Sequence, residues 1–174
     1  EEPPARTLLL LVSHNPGRLL PTIRSRCRVL RLNQLPDQVV EELITRYHPE
    51  MPMDKRSDLV NLCDGSIGQA LALAEGAGVE LYRDMINLIE GLPSLNVEAL
   101  HKLGDKVGRA GAEQDFYTLG ELLRWWLSRL ITMGAGKGGQ TELMARVFAS
   151  AGLDNWLEAW ENVNRMLERT DAVN

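Results

Sequence analysis

The sequence predicts a mainly α-helical chain that opens on the end of an α/β domain, and three observations predict it. Two short strand-like runs, Thr7 to Val12 and Arg28 to Leu32, are confined to the first 33 residues. From Asp37 onward, apolar residues recur at helical spacing between glycine and proline stops. The chain has 174 residues, 44% apolar and 25% charged, ordinary values for a soluble globular protein large enough to bury a core.

The elements follow in order. Thr7 to Val12 is a continuous apolar run closed by Ser-His-Asn-Pro-Gly, as in a strand buried on both faces before a turn. Leu19 to Arg24 is long enough for one or two helical turns, and R-V-L-R-L from Arg28 alternates as a short strand does. Two strands and a small helix make no sheet domain alone, so residues 1–33 read as the tail of an α/β domain whose earlier strands lie elsewhere. Asp37 is expected to cap a helix carrying Val39, Val40, Leu43, Ile44 and Tyr47, ended by His48-Pro49. Residues 54–63 form a second helix, stopped by Asp64-Gly65. Ser66 caps a third, Ile67 to Glu75, stopped by Gly76 and Gly78. Residues 34–78 are thus a small three-helix unit. From Val79 the helices lengthen. Leu81, Met85, Leu88 and Ile89 mark one, and Asn96 caps another. Leu119, Leu122, Leu123, Trp126, Leu127, Leu130 and Ile131 form a long stripe. Thr141 to Ala151 is a further helix, and Trp156, Leu157, Trp160, Val163 and Leu167 mark the last. Residues 79–174 read as an antiparallel helical bundle.

Composition narrows the function classes. No run approaches the ~18 apolar residues of a membrane span, and the acidic, proline-rich start is unlike a signal peptide. The first residue is Glu1 rather than Met, which reads as a processed or truncated chain. Cys27 and Cys63 form no CxxC, and reduced cytoplasmic thiols are the expectation. The net charge of −5 is unevenly spread. Residues 1–33 hold six arginines against two glutamates, a net of +4, and the remainder carries −9. A basic head meets phosphate or acidic surface more readily than the acidic remainder does, although surface arginines also simply solvate strand ends.

Few motifs carry chemistry. The GAGKGG stretch, Gly134 to Gly139, lacks the spacing and the hydroxyl of a phosphate-binding loop, and it follows a helix rather than a strand. It reads as an interhelical loop. His14, His48 and His101 show no metal spacing. Cys27 reads as a small hydrophobe rather than a nucleophile paired with His14. Trp126, Trp156 and Trp160 read as core or subunit interface, and Trp125 as an exposed anchor. Ser25-Arg26-Cys27 remains. An arginine ending a short helix at a domain rim offers a planar fork of donors that suits phosphate oxygens. On residue chemistry alone it is a surface arginine.

A strand, Asn15-Pro16, a short "LLPTIRSRC" helix and a second strand together resemble the end of the ATPase-type (AAA+) domain of bacterial DNA polymerase III clamp-loader subunits. "CDGSIGQALAL" is similar to the glycine-serine turn and helix of that family's lid domain, and the long helices after Val79 to its collar. The resemblance implies an AAA+ remnant over 1–33, a lid over 34–78 and an oligomerising collar over 79–174. It implies that Arg26 is an arginine finger reaching a neighbouring subunit's nucleotide, positioned by Ser25 and Cys27. Ser13 and His14 would fall at sensor one, and Gly65 and Ser66 at the lid turn. Gly68 stands where ATP-hydrolysing relatives carry a sensor-two arginine, so the delta-prime, non-hydrolysing branch is favoured over the gamma/tau motor. The partners implied are gamma/tau-type and delta subunits, and through them the sliding clamp and primed DNA. ATP and magnesium would sit in the neighbour, with no cofactor and no metal held by this chain, in the cytoplasm. The competing readings are the motor subunit itself, or a helical adaptor or nucleic-acid-binding module.

Overall fold

The structure, a computed structural model, describes residues 7–13, 16–136 and 141–171. The chain divides into two compact units, Glu1–Asn33 and Gln34–Asn174. In the first, a 3-10 turn at Pro16–Arg18 precedes α1, Pro21–Arg24. Pro21 suits the first helical position, where its missing N–H is not needed. The two strands expected at Thr7 to Val12 and Arg28 to Leu32 are not formed. The physical reason is pairing. A strand is stabilised by a neighbour's backbone, and neither segment has one among the described residues. The apolar run is accordingly open to solvent, from 60% exposed at Leu11 to 91% at Val12.

The second unit is helical throughout its described residues. It contains α2, Asp37–Tyr47; α3, Met53–Leu62; α4, Ile67–Glu75; α5, Gly78–Glu90; α6, Val97–Gly108; α7, Glu113–Gly134; α8, Glu142–Ala149; and α9, Leu153–Asp171. Ser66 and Asn96 cap their helices as the sequence requires, and Thr141, expected as the first residue of a helix, caps α8 instead. Ser66 accepts from the Gln69 amide at 3.4 Å, Asn96 from Ala99 at 3.0 Å and Thr141 from Met144 at 3.2 Å. Asp37 differs from expectation. Pro36 occupies the cap, and Asp37 is the first helical residue, where its charge complements the helix dipole.

The apolar stripes meet in one core. Val40 and Ile44 of α2, Leu59 and Leu62 of α3, and Ala70 and Leu73 of α4 join Leu81 and Met85 of α5, and Leu122, Trp126 and Leu130 of α7. The core is continuous across residue 78, where α4 turns into α5. Gly78 permits that corner, since a Cβ there would sit 2.6 Å from Leu73 Cδ2. Further along, α9 packs along α7. A Cβ on Gly120 would lie 2.4 Å from Leu167 Cδ2, and one on Gly134 would lie 2.1 Å from the Phe148 ring. Leu157, read from the sequence as an inward position of α9, is instead 38% exposed. No helix among the described residues is long and apolar enough to cross a membrane.

Ion pairs brace the helices from outside. Arg83 of α5 reaches Asp58 and Asp54 of α3, each at 2.7 Å, and Lys55 of α3 pairs with Glu80 of α5. Lys106 of α6 pairs with Asp84 of α5 at 2.9 Å. Arg146 of α8 donates to the Glu90 carbonyl at the end of α5, at 2.8 Å. The hydrogen bond from Arg83 holds the Asp54 carboxyl below its ordinary 3.8, and the one from Lys55 holds Glu80 below 4.5.

Gly65 has φ +74°, and a Cβ there would meet the Leu35 carbonyl oxygen at 2.6 Å. Gly65→Ala is expected to cost roughly 1–3 kcal/mol in urea unfolding, as strain at such positions does. Gly104, inside α6 with open space around it, is expected to gain about 0.5–1 kcal/mol as Gly104→Ala. The lowered carboxyl values mean that unfolded chains bind more protons than folded ones as acid is added. The stabilisation from Asp54 and Glu80 is complete above their ordinary values of 3.8 and 4.5 and is lost as the pH falls through the depressed ones. The urea midpoint should therefore fall on acidification below that range, and less steeply in Glu80→Gln.

Candidate functional site

The Ser25-Arg26-Cys27 segment is fixed by its own short helix. The Ser25 amide donates to the Pro21 carbonyl at 2.9 Å, and the amides of Arg26 and Cys27 both donate to the Ile23 carbonyl at 3.1 Å. The Ser25 hydroxyl donates to the Thr22 carbonyl at 3.2 Å. Ser25 therefore ties down the turn from which Arg26 departs. Cys27 continues that turn as an exposed free thiol. The backbone of Arg26 is thus held while its side chain is exposed. Among the described residues it forms no ion pair. Arg24 and Arg28, on either side, are exposed as well. Three guanidinium groups within five residues give a local positive field with a fork of donors, suited to phosphate or carboxylate oxygens.

The other residues singled out by sequence are placed as follows. Ser13 is exposed and has no hydrogen bond to Arg26, and His14 lies outside the described residues. So do Lys137 to Gln140 of the glycine-rich loop after α7. Gly65 and Ser66 lie in the second unit and form a tight turn. Asp64 and Gly65 are both left-handed, at φ 45° and 74°. The Ser66 amide donates to the Cys63 carbonyl at 2.8 Å, and the Gly65 carbonyl accepts from the Leu35 amide at 3.0 Å. The turn starts α4 beside the segment that enters α2. Gly68, on the first turn of α4, is exposed with no atom within 4 Å of a Cβ built there. Nothing steric keeps an arginine from that position.

One cluster was not visible in the sequence. The Trp125 indole N–H donates to Asp64 Oδ2 at 2.6 Å, and Arg129 reaches Asp64 Oδ1 at 3.4 Å. The Arg129 guanidinium also lies over the Trp125 ring at 4.9 Å, and Tyr82 meets that ring edge-on at 6.4 Å. Burial pushes the Tyr82 phenol up from its ordinary 10.0, with the nearby Asp58 charge adding to the shift. Trp125 is therefore partly buried and held from within, and the expectation of an exposed anchor there is corrected. Trp125 and Arg129 are one helical turn apart, so their pairing was readable. Their acceptor lies 61 residues upstream of Trp125, and no local pattern announces it. The cluster borders a cleft of about 1130 Å³ between α4, α7 and α9. Arg124, Arg129 and Arg165 line it together with Asp64, Glu121, Glu161 and Glu168, three cations among four carboxylates, so the cleft carries no strong charge of either sign.

Comparison with known proteins adds a lineage to this geometry. A family model described as DNA polymerase III, delta subunit, matches residues 1–36, the stretch that contains Arg26. The chain is 41% identical over 96 residues to the DNA polymerase III subunit delta' of Pseudomonas aeruginosa, covering 55% of this chain and 28% of that protein. It is 42% identical over 76 residues to the subunit delta' of Escherichia coli, covering 44% of this chain and 22% of that protein. The matched region thus spans about a quarter of these relatives' length. No solved structure matches. The resemblance first read from the Ser-Arg-Cys segment is carried by curated relatives as well, and over about half its length this chain is similar to the delta' subunits of DNA polymerase III.

Proposed function

We propose that this chain carries the end of the ATPase-type domain, the lid and the collar of a delta-prime-type clamp-loader subunit. Its work in DNA replication is to assemble with gamma/tau-type and delta subunits and help them place a sliding clamp on primed DNA. Arg26 acts in trans. It reaches the triphosphate in a neighbouring subunit, where ATP and magnesium are bound, and stabilises charge that develops as the γ-phosphoryl is transferred. This chain hydrolyses no ATP itself. Gly68 supports that reading, because the α4 turn presents no cation where hydrolysing relatives would place one.

The observation that carries the proposal is Arg26. Its amide donates to the Ile23 carbonyl of α1, its neighbours Ser25 and Cys27 are tied to the same short helix, and among the described residues its charge is unpaired, within the 36 residues that the family model matches. An arginine that serves its own fold is usually paired, as Arg83 is with Asp54 and Asp58. One held out with a free charge is available to a partner.

The test uses the full-length protein assembled with its ATPase partners. Clamp- and DNA-stimulated ATP turnover is compared for the parent and Arg26→Ala, with assembly checked by size exclusion. A trans-acting arginine contributes on the order of 10³-fold at its own site, diluted here by the other sites of the ring. A clear fall in turnover with intact assembly is expected. Unchanged turnover would overturn the role of Arg26 and leave the helical scaffold standing.

A further inference from the structure

The uncovered side of α6 has a use separate from anything assigned to Arg26. We infer that α6 is a self-association face, on which a second copy of this chain lays its own α6 antiparallel to form a weak two-fold dimer.

One side of α6 is already committed. Leu103 and Val107 are buried in the shared core, and Lys106 is paired with Asp84 of α5. A different side is apolar and uncovered. Val97 is 57% exposed and Leu100 is 43% exposed, and Leu95, just before the helix, is 44% exposed. His101, Gly104 and Gly108 continue that side, and a Cβ built on either glycine meets no atom within 4 Å. On α7 the comparable glycines are filled, Gly120 by Leu167 and Gly134 by Phe148. The uncovered side of α6 is therefore uneven along its length. Bulky apolar residues stand at its N-terminal end and open notches at its C-terminal end. An antiparallel copy of the same helix lays each bulky end over the other's notches.

Charge identifies the occupant. Beside this apolar side runs a row of Glu98, Lys102, Asp105 and Arg109, at helical spacing and all exposed, with Arg109 as the cap residue. The signs alternate, negative first, and read in reverse they alternate positive first. An antiparallel copy thus meets opposite charge along the whole row, with Glu98 facing Arg109 of the second copy and Lys102 facing Asp105 of the second copy. A two-fold axis keeps both rows on the same side of the crossing, so each pair forms twice. The same alignment sets Gly104 against Gly104 of the second copy and Leu100 beside Gly108 of the second copy, so shape and charge select one register. A parallel copy would set like charge on like. The row sums to zero, so the chain's acidic surplus is not concentrated at this face. Lys102 pairs with Glu98 along the helix at 2.6 Å, yet it is largely exposed and its ammonium is open to a second carboxylate. Asp105 and Arg109 are in no ion pair among the described residues. The 12 residues of α6 span about 18 Å. That is short for a standard interface, so the dimer is weak and concentration-dependent.

The test is sedimentation velocity of the whole chain, at concentrations from about 5 µM to about 0.5 mM. The parent should pass from monomer toward dimer over that range. Asp105→Lys sets lysine against lysine across the crossing, and Lys102→Asp sets aspartate against aspartate. Each variant alone should dimerise at least about tenfold more weakly. Mixed one to one, the two restore opposite charges at both pairs, and the mixture should recover to within about threefold of the parent. Gly104→Leu fills the crossing point from a position with open space in the monomer, and it should abolish the dimer. Circular dichroism confirms that helix content is kept. If one charge variant does not fold, the chain carrying both changes, whose row is again opposite in sign when reversed, supplies the recovery. A parent that stays monomeric throughout overturns the inference. So does a dimer that the charge variants leave unchanged, a recovery no tighter than a single variant, or a dimer that persists in folded Gly104→Leu.

Discussion

The helical unit depends on one stripe of α7. Leu122, Trp126 and Leu130 follow one another at a turn's spacing and are all buried. They face α5 on one side, and α7 also carries α9. Truncating a buried tryptophan of this kind costs about 3–5 kcal/mol, a large part of a domain's stability. Because the core runs unbroken from Val40 to Val147, every other helix is positioned directly or indirectly by that stripe. The ion pairs on the outside adjust what it has already placed.

The helices were legible because their signals are local. Apolar spacing, glycine stops and polar caps at Ser66 and Asn96 sit within a few residues of what they determine, and those caps are made. Leu81, Met85, Leu88 and Ile89 were readable as one buried face for the same reason. The strands were misread because an apolar run reports only that burial would be favourable. Whether a strand forms depends on a partner that the run does not contain. Trp125 was misread for a related cause. Adjacent tryptophans on a helix cannot face the same way, so one had to leave the core, but its destination was a carboxylate 61 residues away. The geometry of the arginine-rich segment was half legible. Its short helix was foreseen, and the hold of the Ser25 hydroxyl on Thr22 was not.

The two units also divide the chain's charge. Six of the fifteen arginines are gathered in a segment whose described residues bury almost nothing, while the acidic surplus is spread over a well-packed helical body. In the body, several carboxylates brace one helix against another, as Asp54, Asp58, Glu80 and Asp84 do. Among the described residues the arginines of the first unit have no such duty. A cation with no role in its own fold adds nothing to folding stability, and its value is realised only when something else approaches.

The glycines at 120 and 134 have a geometric consequence. Each is a notch on α7 filled by one side chain, Leu167 from α9 and Phe148 from α8. Two notches fourteen residues apart act together as a vernier. An axial slip of either helix along α7 would carry Leu167 or Phe148 out of its notch toward side chains one turn away on the same face, such as Phe116 or Arg124 beside Gly120 and Leu130 beside Gly134. Hydrophobic burial alone would tolerate such a slip, since one apolar face slides readily over another. The paired notches remove that freedom, so the long helices have one axial register, specified by two missing side chains.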